Sequence, residues 1–388
     1  MSGKQIETSD EKVLVKSQLT GSWLLINARV NGSRMFRKSS LAVVVVVLTV
    51  LCIRVSNSDA DIIGIIRPAY SNPQFSPDGP AMWNALLETA QRTDRNFQIR
   101  AVLNPDSGPG ETANQQQFFT DYFGNGSDGL AAQFLSEGGQ LVGYVSTDFG
   151  CRDIVDVKND IDAYLIGIYA GKMSGIFLDE FFNDASDPPY YQEIYDHIRS
   201  RDSQALIIAN AGSSFFINTT LTDSQATALI SPLDTLVSFE GTEANYRAST
   251  GNDRYQPLTG QEAITNPRLA HFTHTSATIW DESLLSLAEQ RNAAWFFATP
   301  DVFLDLDVDN PWDNFNESHW NGMVNSVIAA NTVLLGDVNQ DESVNFLDIS
   351  PFILILSNGG YLEVADTNQD SEVNFLDISP FIVLLSSQ

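Results

Sequence analysis

The stretch GIFLDE at residues 175–180 decides the fold, because it is a short apolar run that ends on two carboxylates, Asp179 and Glu180. A near-continuous apolar run of this length is typical of a strand buried on both faces, as in a parallel sheet covered by helices. In barrels built from such strands, the polar pocket lies where the strands end. The stretch therefore predicts a buried strand whose last residues line a site.

Seven further apolar runs have the same character. They are DIIGII at 61–66, IRAVL at 99–103, LVGYV at 141–145, ALIIA at 205–209, LVSF at 236–239, AHFTH at 270–274 and AWFFAT at 294–299. Amphipathic stretches separate them, as helices between parallel strands would. Eight such units in about 270 residues predict a (β/α)8 TIM-like barrel rather than an open doubly wound sheet, which usually has fewer strands.

Polar side chains follow several of the runs. Asn210 and Glu240 come directly after the runs that end at residues 209 and 239. Because the strands of a barrel end on one side, these side chains and Asp179 are expected to meet at one mouth. The predicted substrate-binding residues are Tyr70, Asn104, Tyr144, Asn210, Tyr246 and His274. Asn104 has a structural alternative as a turn residue, Tyr70 and Tyr144 as buried aromatics and His274 as a hydrogen-bonded wall residue, and Tyr246 lies in an ordinary loop.

A ring of carboxylates, amides and phenols indicates carbohydrate chemistry, because a glycosidase needs two carboxyl groups at the scissile bond. Asp179 and Glu240 are the candidate catalytic pair, and Glu180 is expected to support them. An Asp-Glu pair after a strand can also cap a helix. Which carboxyl group is the acid stays open at this point. A separation of about 5 Å would favour retention of configuration, and more than about 6.5 Å would favour inversion.

Several segments of this region together resemble the spherulin-4 family, the spherulation-specific family 4 glycoside hydrolases. They are NPDSGPG at 104–110, GYVSTDFGCR at 143–152, Asp160-Ile161 followed by Tyr164, GIFLDE at 175–180 and FEG at 239–241. The resemblance implies a (β/α)8 barrel that cuts α-1,4-linked N-acetylgalactosamine in amino-sugar polysaccharides from within the chain. It also implies that Asp179, Glu180 and Glu240 are the essential acids. No cofactor is expected for catalysis.

A repeat lies near the C-terminus. GDVNQDESVNFLDISPFILIL at 336–356 returns as ADTNQDSEVNFLDISPFIVLL at 365–385. Oxygen-bearing side chains fall at positions 1, 3, 5, 9 and 12 of a loop in each copy, a spacing that wraps a Ca²⁺ ion. The predicted ligands are Asp337, Asn339, Asp341, Asn345 and Asp348 in the first loop and Asp366, Asn368, Asp370, Asn374 and Asp377 in the second. We therefore expect two Ca²⁺ ions.

The repeat resembles the type I dockerin module, a pair of Ca²⁺-binding loop-helix units. The resemblance implies a small all-α module with a cohesin-like protein partner. The sequence departs from an EF-hand at position 6, where Glu342 and Ser371 replace glycine, so this position is expected to be strained.

Two apolar pairs follow at positions 10 and 11 of the loops. They are Phe346 with Leu347 and Phe375 with Leu376. In dockerins these positions help to choose the partner, whereas the same side chains could equally close the two helices on each other.

The first sixty residues have the order of a secretory signal. Arg37 and Lys38 precede an apolar run from Leu41 to Cys52, and small residues follow at Ser58 and Ala60, which is the order of such a signal. The run is too short to span a bilayer comfortably, so a cleaved signal is expected, with an uncleaved anchor as the alternative. The expected organisation is an N-terminal extension or mis-assigned start at 1–34, a signal peptide at 35–60, the barrel at 61–331 and the dockerin-like module at 332–388.

The formal net charge of −28 argues against nucleic acid as a partner, since a phosphate backbone is bound through Lys and Arg. The sequence predicts a secreted or cell-surface, monomeric glycoside hydrolase that acts within an amino-sugar polysaccharide and is tethered by its C-terminal module. The alternative is a non-catalytic barrel that binds a glycan and is anchored to an extracellular or cell-surface assembly.

Overall fold

The computed structural model describes residues 62–386 except 126–127, 182–186, 216–220, 258–267, 303–309, 333, 340 and 342, together with the backbone of 12–16 and 23–27. In the N-terminal unit, β1 (Lys12–Lys16) pairs antiparallel with β2 (Trp23–Asn27). The predicted signal peptide at 35–60 lies outside the described residues.

Eight parallel strands close into a barrel. They are β3 (Gly64–Ala69), β4 (Gln98–Leu103), β5 (Gln140–Ser146), β6 (Gly175–Asp179), β7 (Leu206–Asn210), β8 (Thr235–Thr242), β9 (Arg268–His274) and β10 (Ala293–Ala298). Each strand pairs with the next along the chain, and β10 returns to pair with β3. The predicted (β/α)8 barrel is confirmed.

β3, the first strand of the barrel, begins three residues after the start of the apolar run that predicts it and continues through Pro68. Proline has no N–H and is usually excluded from central strands. On one side, the ladder between β10 and β3 is formed only at Gly64 and Ile65. Pro68 therefore lies beyond that ladder and removes no hydrogen bond from it.

Helices cover the barrel between the strands. They are α1 (Gly79–Gln91), α2 (Gln115–Phe123), α3 (Leu130–Ser136), α4 (Ile154–Leu165), α5 (Pro188–Arg201), α6 (Asp223–Ile230), α7 (Glu243–Arg247), α8 (Ser283–Gln290) and α9 (Glu317–Ala330). Local sequence starts several of them. The Asp153 side chain caps α4 by accepting from the N–H of Val155, and Thr222 and Gln225 form a capping box on α6.

Aromatic rings fill the barrel below its mouth. Phe177 on β6 and Phe272 on β9 are fully buried and stack with their ring centroids 6.4 Å apart. Tyr144 on β5 stacks on Phe177 at the same spacing. The interior is therefore a packed core, and the polar side chains lie above these rings.

The C-terminal repeat forms two short helices, α10 (Ile349–Asn358) and α11 (Ile378–Ser386). Phe352 and Phe381 occupy equivalent positions in the two copies, and their buried rings stack 4.0 Å apart. The module thus has its own small core.

No helix in the described part of the chain combines the length and the apolar character needed to cross a bilayer.

Gly143 on β5 provides a test of how closely α4 packs on the barrel. A Cβ atom at this position would lie 2.4 Å from Cγ of Tyr164, whose side chain is fully buried. We expect Gly143→Ala to lower the free energy of unfolding by about 1–3 kcal/mol, the usual cost of overpacking a core, as measured by denaturant titration.

Gly360→Ala is the control, since the nearest atom to its new Cβ would be 4.0 Å away. A Gly143→Ala variant as stable as the unaltered chain would contradict the packing described here.

Candidate functional site

Three adjacent strands bring together two carboxylates and an amide. Asp179 ends β6, Asn210 ends β7 and Glu240 lies on β8. Nδ2 of Asn210 donates to Oδ1 of Asp179 at 2.8 Å and to Oε2 of Glu240 at 2.6 Å. Oδ1 of Asn210 accepts from the backbone N–H of Gly212 at 3.2 Å. That last bond fixes the amide with its NH2 group toward the two carboxylates.

A β-bulge on β8 directs Glu240 into the barrel. The register with β9 shifts between Val237 and Phe239, so Ser238 is an extra residue on β8. The Ser238 hydroxyl hydrogen-bonds the buried ring of His271 on the outer side of the sheet. Phe239 also faces outward, because its ring packs on Tyr246 with centroids 4.8 Å apart. Two successive outward residues reverse the alternation, and Glu240 therefore points inward.

Glu180 faces a different neighbour from Asp179. Its φ is +53°, in the left-handed region that non-glycine residues rarely adopt. Its carboxylate accepts from the hydroxyl of Ser146, and its backbone carbonyl accepts from the N–H of Phe149 at 2.9 Å. The strained residue thus joins the end of β6 to the last residue of β5 and to the segment that follows it.

Burial and proximity raise the pKa values of both inward carboxyl groups. For Asp179, desolvation raises the pKa to about 6, against the lowering effect of the hydrogen bond from Asn210. For Glu240, desolvation and then the negative charge of Asp179 raise the pKa to about 8. Burial and like charge therefore favour a state in which one of the two carboxyl groups is protonated.

Two tyrosines complete the wall beside Asp179. The ring of Tyr70 meets the ring of Tyr144 edge-on with centroids 5.5 Å apart. Burial raises the pKa of both phenols, and the charges of Asp179 and Glu240 raise it further. Both hydroxyls therefore remain protonated donors near neutral pH.

Trp312 is a residue of the mouth that the sequence did not single out. Its ring packs edge-on to Phe272, the β9 residue in register with Glu240, with centroids 6.0 Å apart, and only 5% of its surface is exposed. The signal that could have found it is an aromatic residue in the segment after the eighth strand, where barrel sites collect polar and aromatic groups.

The remaining predicted binding residues divide into three cases. His274 lies at the end of β9, with its ring edge-on to Trp312 at 5.8 Å, and burial lowers its pKa. Asn104 follows β4, but its Oδ1 accepts from the N–H of Gly108 at 2.9 Å and so organises its own loop. Tyr246 does not reach the mouth, which corrects the prediction for this residue. It lies fully buried on α7 and shares a 2.7 Å hydrogen bond with Nδ1 of His271.

The two C-terminal loops fold alike. In the first, the Asp348 carboxylate accepts from the N–H groups of Asn339 and Asn345 at 2.9 and 2.7 Å. In the second, Asp377 accepts from the N–H groups of Asn368 and Asn374 at 3.0 and 2.8 Å. Both aspartates are fully buried. The last carboxylate of each loop thus bonds the backbone at loop positions 3 and 9, and it holds these predicted ligand positions close to position 12.

The residues of the module fit a hard cation. Residues 332–388 contain nine Asp and Glu residues and no Lys, Arg or His, so the module itself offers no basic side chain to balance the charge of Asp348 and Asp377. Oxygen donors without a cationic neighbour suit Ca²⁺. In the described residues, no group of three or more His, Cys, Asp and Glu side chains is arranged to hold a metal ion, and the carboxylates accept backbone N–H groups instead.

The expected strain at loop position 6 is present where the structure describes it. Ser371 has a φ of +69°, which favours glycine. Its counterpart Glu342 lies outside the described residues.

The apolar pairs of the two loops are exposed. The exposed fractions are 83% for Phe346, 66% for Leu347, 81% for Phe375 and 66% for Leu376. The alternative that they close the helices on each other is therefore wrong, since Phe352 and Phe381 form that contact. The two pairs leave a duplicated apolar surface on the module.

Comparison with protein families finds two matches. A model described as spherulation-specific family 4 matches residues 64–327, and one described as a dockerin type I domain matches residues 335–385. Spherulin-4 of Physarum polycephalum is 30% identical over 161 residues, which cover 42% of this chain and 42% of that protein. The match thus spans less than half of the curated relative.

Among solved structures, a GH2 β-galacturonidase from Eisenbergiella tayi is similar, with 11% identity, a TM-score of 0.41 and coverage of 70% of this chain and 51% of that chain. A β-1,4-D-mannanase from Cryptopygus antarcticus has 10% identity, a TM-score of 0.41 and coverage of 68% and 89%.

Proposed function

The chain belongs to spherulation-specific family 4, and on that premise we propose that it is a glycoside hydrolase whose catalytic pair is Asp179 and Glu240. The proposed substrate is an amino-sugar polysaccharide that contains α-1,4-linked N-acetylgalactosamine, cut from within the chain. The substrate and the endo-action rest on the family resemblance carried by residues such as GIFLDE at 175–180 and FEG at 239–241.

The shared amide of Asn210 is the observation that carries the proposal. Because one nitrogen donates to both carboxylates, at 2.8 and 2.6 Å, Oδ1 of Asp179 and Oε2 of Glu240 lie at most about 5.4 Å apart, as in retaining glycosidases at ~5–5.5 Å. Two carboxylates held this closely in a desolvated mouth repel each other, which is unfavourable for a purely structural arrangement. The same arrangement is what hydrolysis with retention requires.

The surroundings of the two carboxyl groups suggest the roles. Glu240 is the proposed general acid, because burial and the negative charge of Asp179 raise its pKa and favour its protonated form. Asp179 accepts a hydrogen bond from Asn210, which favours its ionised form, and it is the proposed nucleophile. One protonated and one ionised carboxyl group are what retaining hydrolysis requires.

Two steps follow from these roles. In the first, Asp179 attacks the anomeric carbon, the bond to the glycosidic oxygen breaks, and Glu240 gives its proton to that oxygen. In the second, Glu240 takes a proton from water, the water oxygen bonds to the anomeric carbon, and the bond to Asp179 breaks. Both carboxyl groups end as they began.

Glu180 is proposed to act through the backbone rather than on the sugar. Its carboxylate is bonded to Ser146 and its carbonyl to Phe149. These bonds fix the end of β6, so the Asp179 side chain keeps its direction toward Asn210. Tyr70, Tyr144 and His274 are the proposed sugar contacts at the wall.

Substitution of either member of the pair tests the proposal. We expect Asp179→Asn and Glu240→Gln each to lower kcat/KM by at least ~10²-fold, since general acid-base catalysis contributes 10²–10⁴-fold. The measurement is release of reducing ends from a panel of amino-sugar polymers by the full chain.

Glu193→Gln is the matched control, because Glu193 is a half-exposed residue of α5 that forms a salt bridge with Lys158 of α4, outside the carboxylate pair. It should leave the rate unchanged. If the unaltered chain binds a polymer but releases no reducing ends from any member of the panel, the barrel is a glycan-binding module and the hydrolase proposal fails.

We further propose that each C-terminal loop binds one Ca²⁺ ion, which supplies the positive charge that the module lacks. Asp337, Asn339, Asp341, Asn345 and Asp348 would hold the first ion, and Asp366, Asn368, Asp370, Asn374 and Asp377 the second. The loaded module would tether the enzyme outside the cell to a cohesin-like partner. The exposed pairs Phe346 with Leu347 and Phe375 with Leu376 are the apolar surface available to that partner.

Chelation tests the calcium proposal. Because a ligand that binds only the folded state stabilises it by about 4 kcal/mol at 1,000 times Kd, EDTA should lower the melting temperature of the C-terminal module and added Ca²⁺ should restore it. Calorimetry of the full chain can follow this transition separately from that of the barrel.

Titration of the chelated protein should give two Ca²⁺ ions per chain, and Asp377→Asn should reduce this to one. A module that melts at the same temperature with EDTA and with Ca²⁺ would exclude the proposal.

A further inference from the structure

We propose that Thr147 is a positioning residue for Asp179: its buried hydroxyl and N–H hold the two backbone carbonyl groups at the end of β6, so that the Asp179 carboxylate stays at Asn210. The inference rests on the proposed hydrolase function of Asp179 and Glu240. It goes beyond that function, because it concerns a residue that acts on the backbone behind the carboxylate pair.

Thr147 continues the pairing of β5 with β6 past the last rung of the ladder. The regular register ends at Ser146 opposite Asp179. The N–H of Thr147 donates to the carbonyl oxygen of Asp179 at 3.0 Å. Its hydroxyl oxygen lies 3.0 Å from the same carbonyl oxygen and 2.9 Å from that of Glu180. One residue therefore bonds two successive carbonyl groups of the neighbouring chain segment.

The directions of these hydrogen bonds follow from the partners of Thr147. A carbonyl oxygen can only accept, so the Thr147 hydroxyl donates toward the two carbonyl groups. The hydroxyl of Tyr191 on α5 lies 3.0 Å from Oγ1 of Thr147, and it must then donate its own hydrogen to Thr147. Both side chains are fully buried, so bulk water does not replace a bond that is lost there.

The hydroxyl holds a strained piece of backbone. Glu180 has a φ of +53°, and Asp148 and Phe149 in the facing turn have φ values of +47° and +50°, a region that bulky residues rarely adopt. The N–H of Phe149 donates to the carbonyl oxygen of Glu180 at 2.9 Å. Such conformations persist only where several bonds enforce them together, and Thr147 supplies the bond that reaches both carbonyl groups.

Asn210 on β7 holds the same segment from the opposite side. Its carbonyl oxygen accepts from the N–H of Phe181 at 2.7 Å, and its Nδ2 donates to Oδ1 of Asp179 at 2.8 Å. The carbonyl of Asp179 belongs to the peptide that joins Asp179 to Glu180. Because Thr147 fixes the plane of that peptide, it also fixes the direction in which the Asp179 side chain leaves the backbone.

Thr147 is itself held in place. Its carbonyl oxygen accepts from the N–H groups of Gly150 and Arg152 at 3.0 and 3.2 Å. Nη1 of Arg152 donates to the carbonyl oxygen of Ser146 at 3.0 Å, and Nη2 pairs with the carboxylate of Asp160 on α4 at 2.6 Å. The turn after β5 is therefore a firm support from which Thr147 can position β6.

Thr147→Val removes the hydroxyl and keeps the branched shape of the side chain. We expect kcat to fall by about 10- to 100-fold, because a displacement of about 1 Å at a reacting group can cost 10²-fold. KM should stay unchanged, since the buried Thr147 is not accessible to the sugar. Thr147→Ser keeps the hydroxyl and should recover most of kcat. The measurement is reducing-end release by the full chain.

Thr89→Val is the matched control. Thr89 is also a buried threonine, and its hydroxyl donates to the carbonyl oxygen of Ala85 at 2.7 Å and accepts from the indole N–H of Trp320 at 3.1 Å. It lies near the end of α1, which leads into the start of β4 on the side of the barrel opposite the mouth. The control variant should lose stability and keep kcat.

The side-chain NH2 group of Asn210 reports the position of Asp179 without turnover. ¹H–¹⁵N NMR of asparagine-labelled protein shows this group, and the Asn210→Asp spectrum identifies its two signals. In Thr147→Val, the proton that faces Asp179 should move upfield, because it loses its acceptor, and it should return in Thr147→Ser. If Thr147→Val does not fold, Tyr191→Phe weakens the same contact from α5 and should move the signal in the same direction.

These spectra separate the inference from the proposed function. An Asn210 signal that moves in Thr147→Val and not in Thr89→Val supports the inference even if no polymer is cut. Unchanged Asn210 signals in a folded Thr147→Val protein overturn it, and so does an unchanged kcat if the chain is active. Absence of turnover in the unaltered chain overturns only the proposed hydrolase.

Discussion

One amide that serves two carboxylates is the constraint on which the site depends. Nδ2 of Asn210 bonds both Asp179 and Glu240, so three neighbouring strands must end at matched heights and point their last side chains inward. Burial and like charge both oppose this arrangement. The closed barrel supplies the rigid frame that keeps it, since its interior below the mouth is packed with Phe177, Phe272 and Tyr144.

Two local departures from regular strand geometry complete the site. The bulge at Ser238 turns Glu240 inward, and the left-handed backbone of Glu180 lets its carboxylate turn to Ser146 while Asp179 faces Asn210. Bulges and strained residues of this kind are common beside active sites. In the C-terminal module the constraint is again electrostatic, because buried carboxylates there have no basic side chain of the module as partner.

The sequence predicted the barrel because each of its strands is a short apolar run, and it predicted Asp179, Asn210 and Glu240 because each directly follows such a run. It could not predict the bulge, which depends on how β8 aligns with β9 rather than on the residue pattern of β8. Tyr246 was misplaced because the residues after β8 form a short helix that packs its tyrosine against His271. Trp312 lies far along the chain from Glu240, and only the closed barrel brings its ring against Phe272, the register partner of Glu240.

The stereochemistry of the reaction tests the central claim most directly. The full chain should be given an α-1,4-linked, partly N-acetylated galactosamine polymer, and ¹H NMR should follow the new reducing ends as they form. A pair held as closely as Asp179 and Glu240 predicts that the α-anomer appears first and the β-anomer only by later mutarotation. Early appearance of the β-anomer would contradict the retaining pair, and absence of any new reducing end would contradict the assignment of these carboxylates to catalysis.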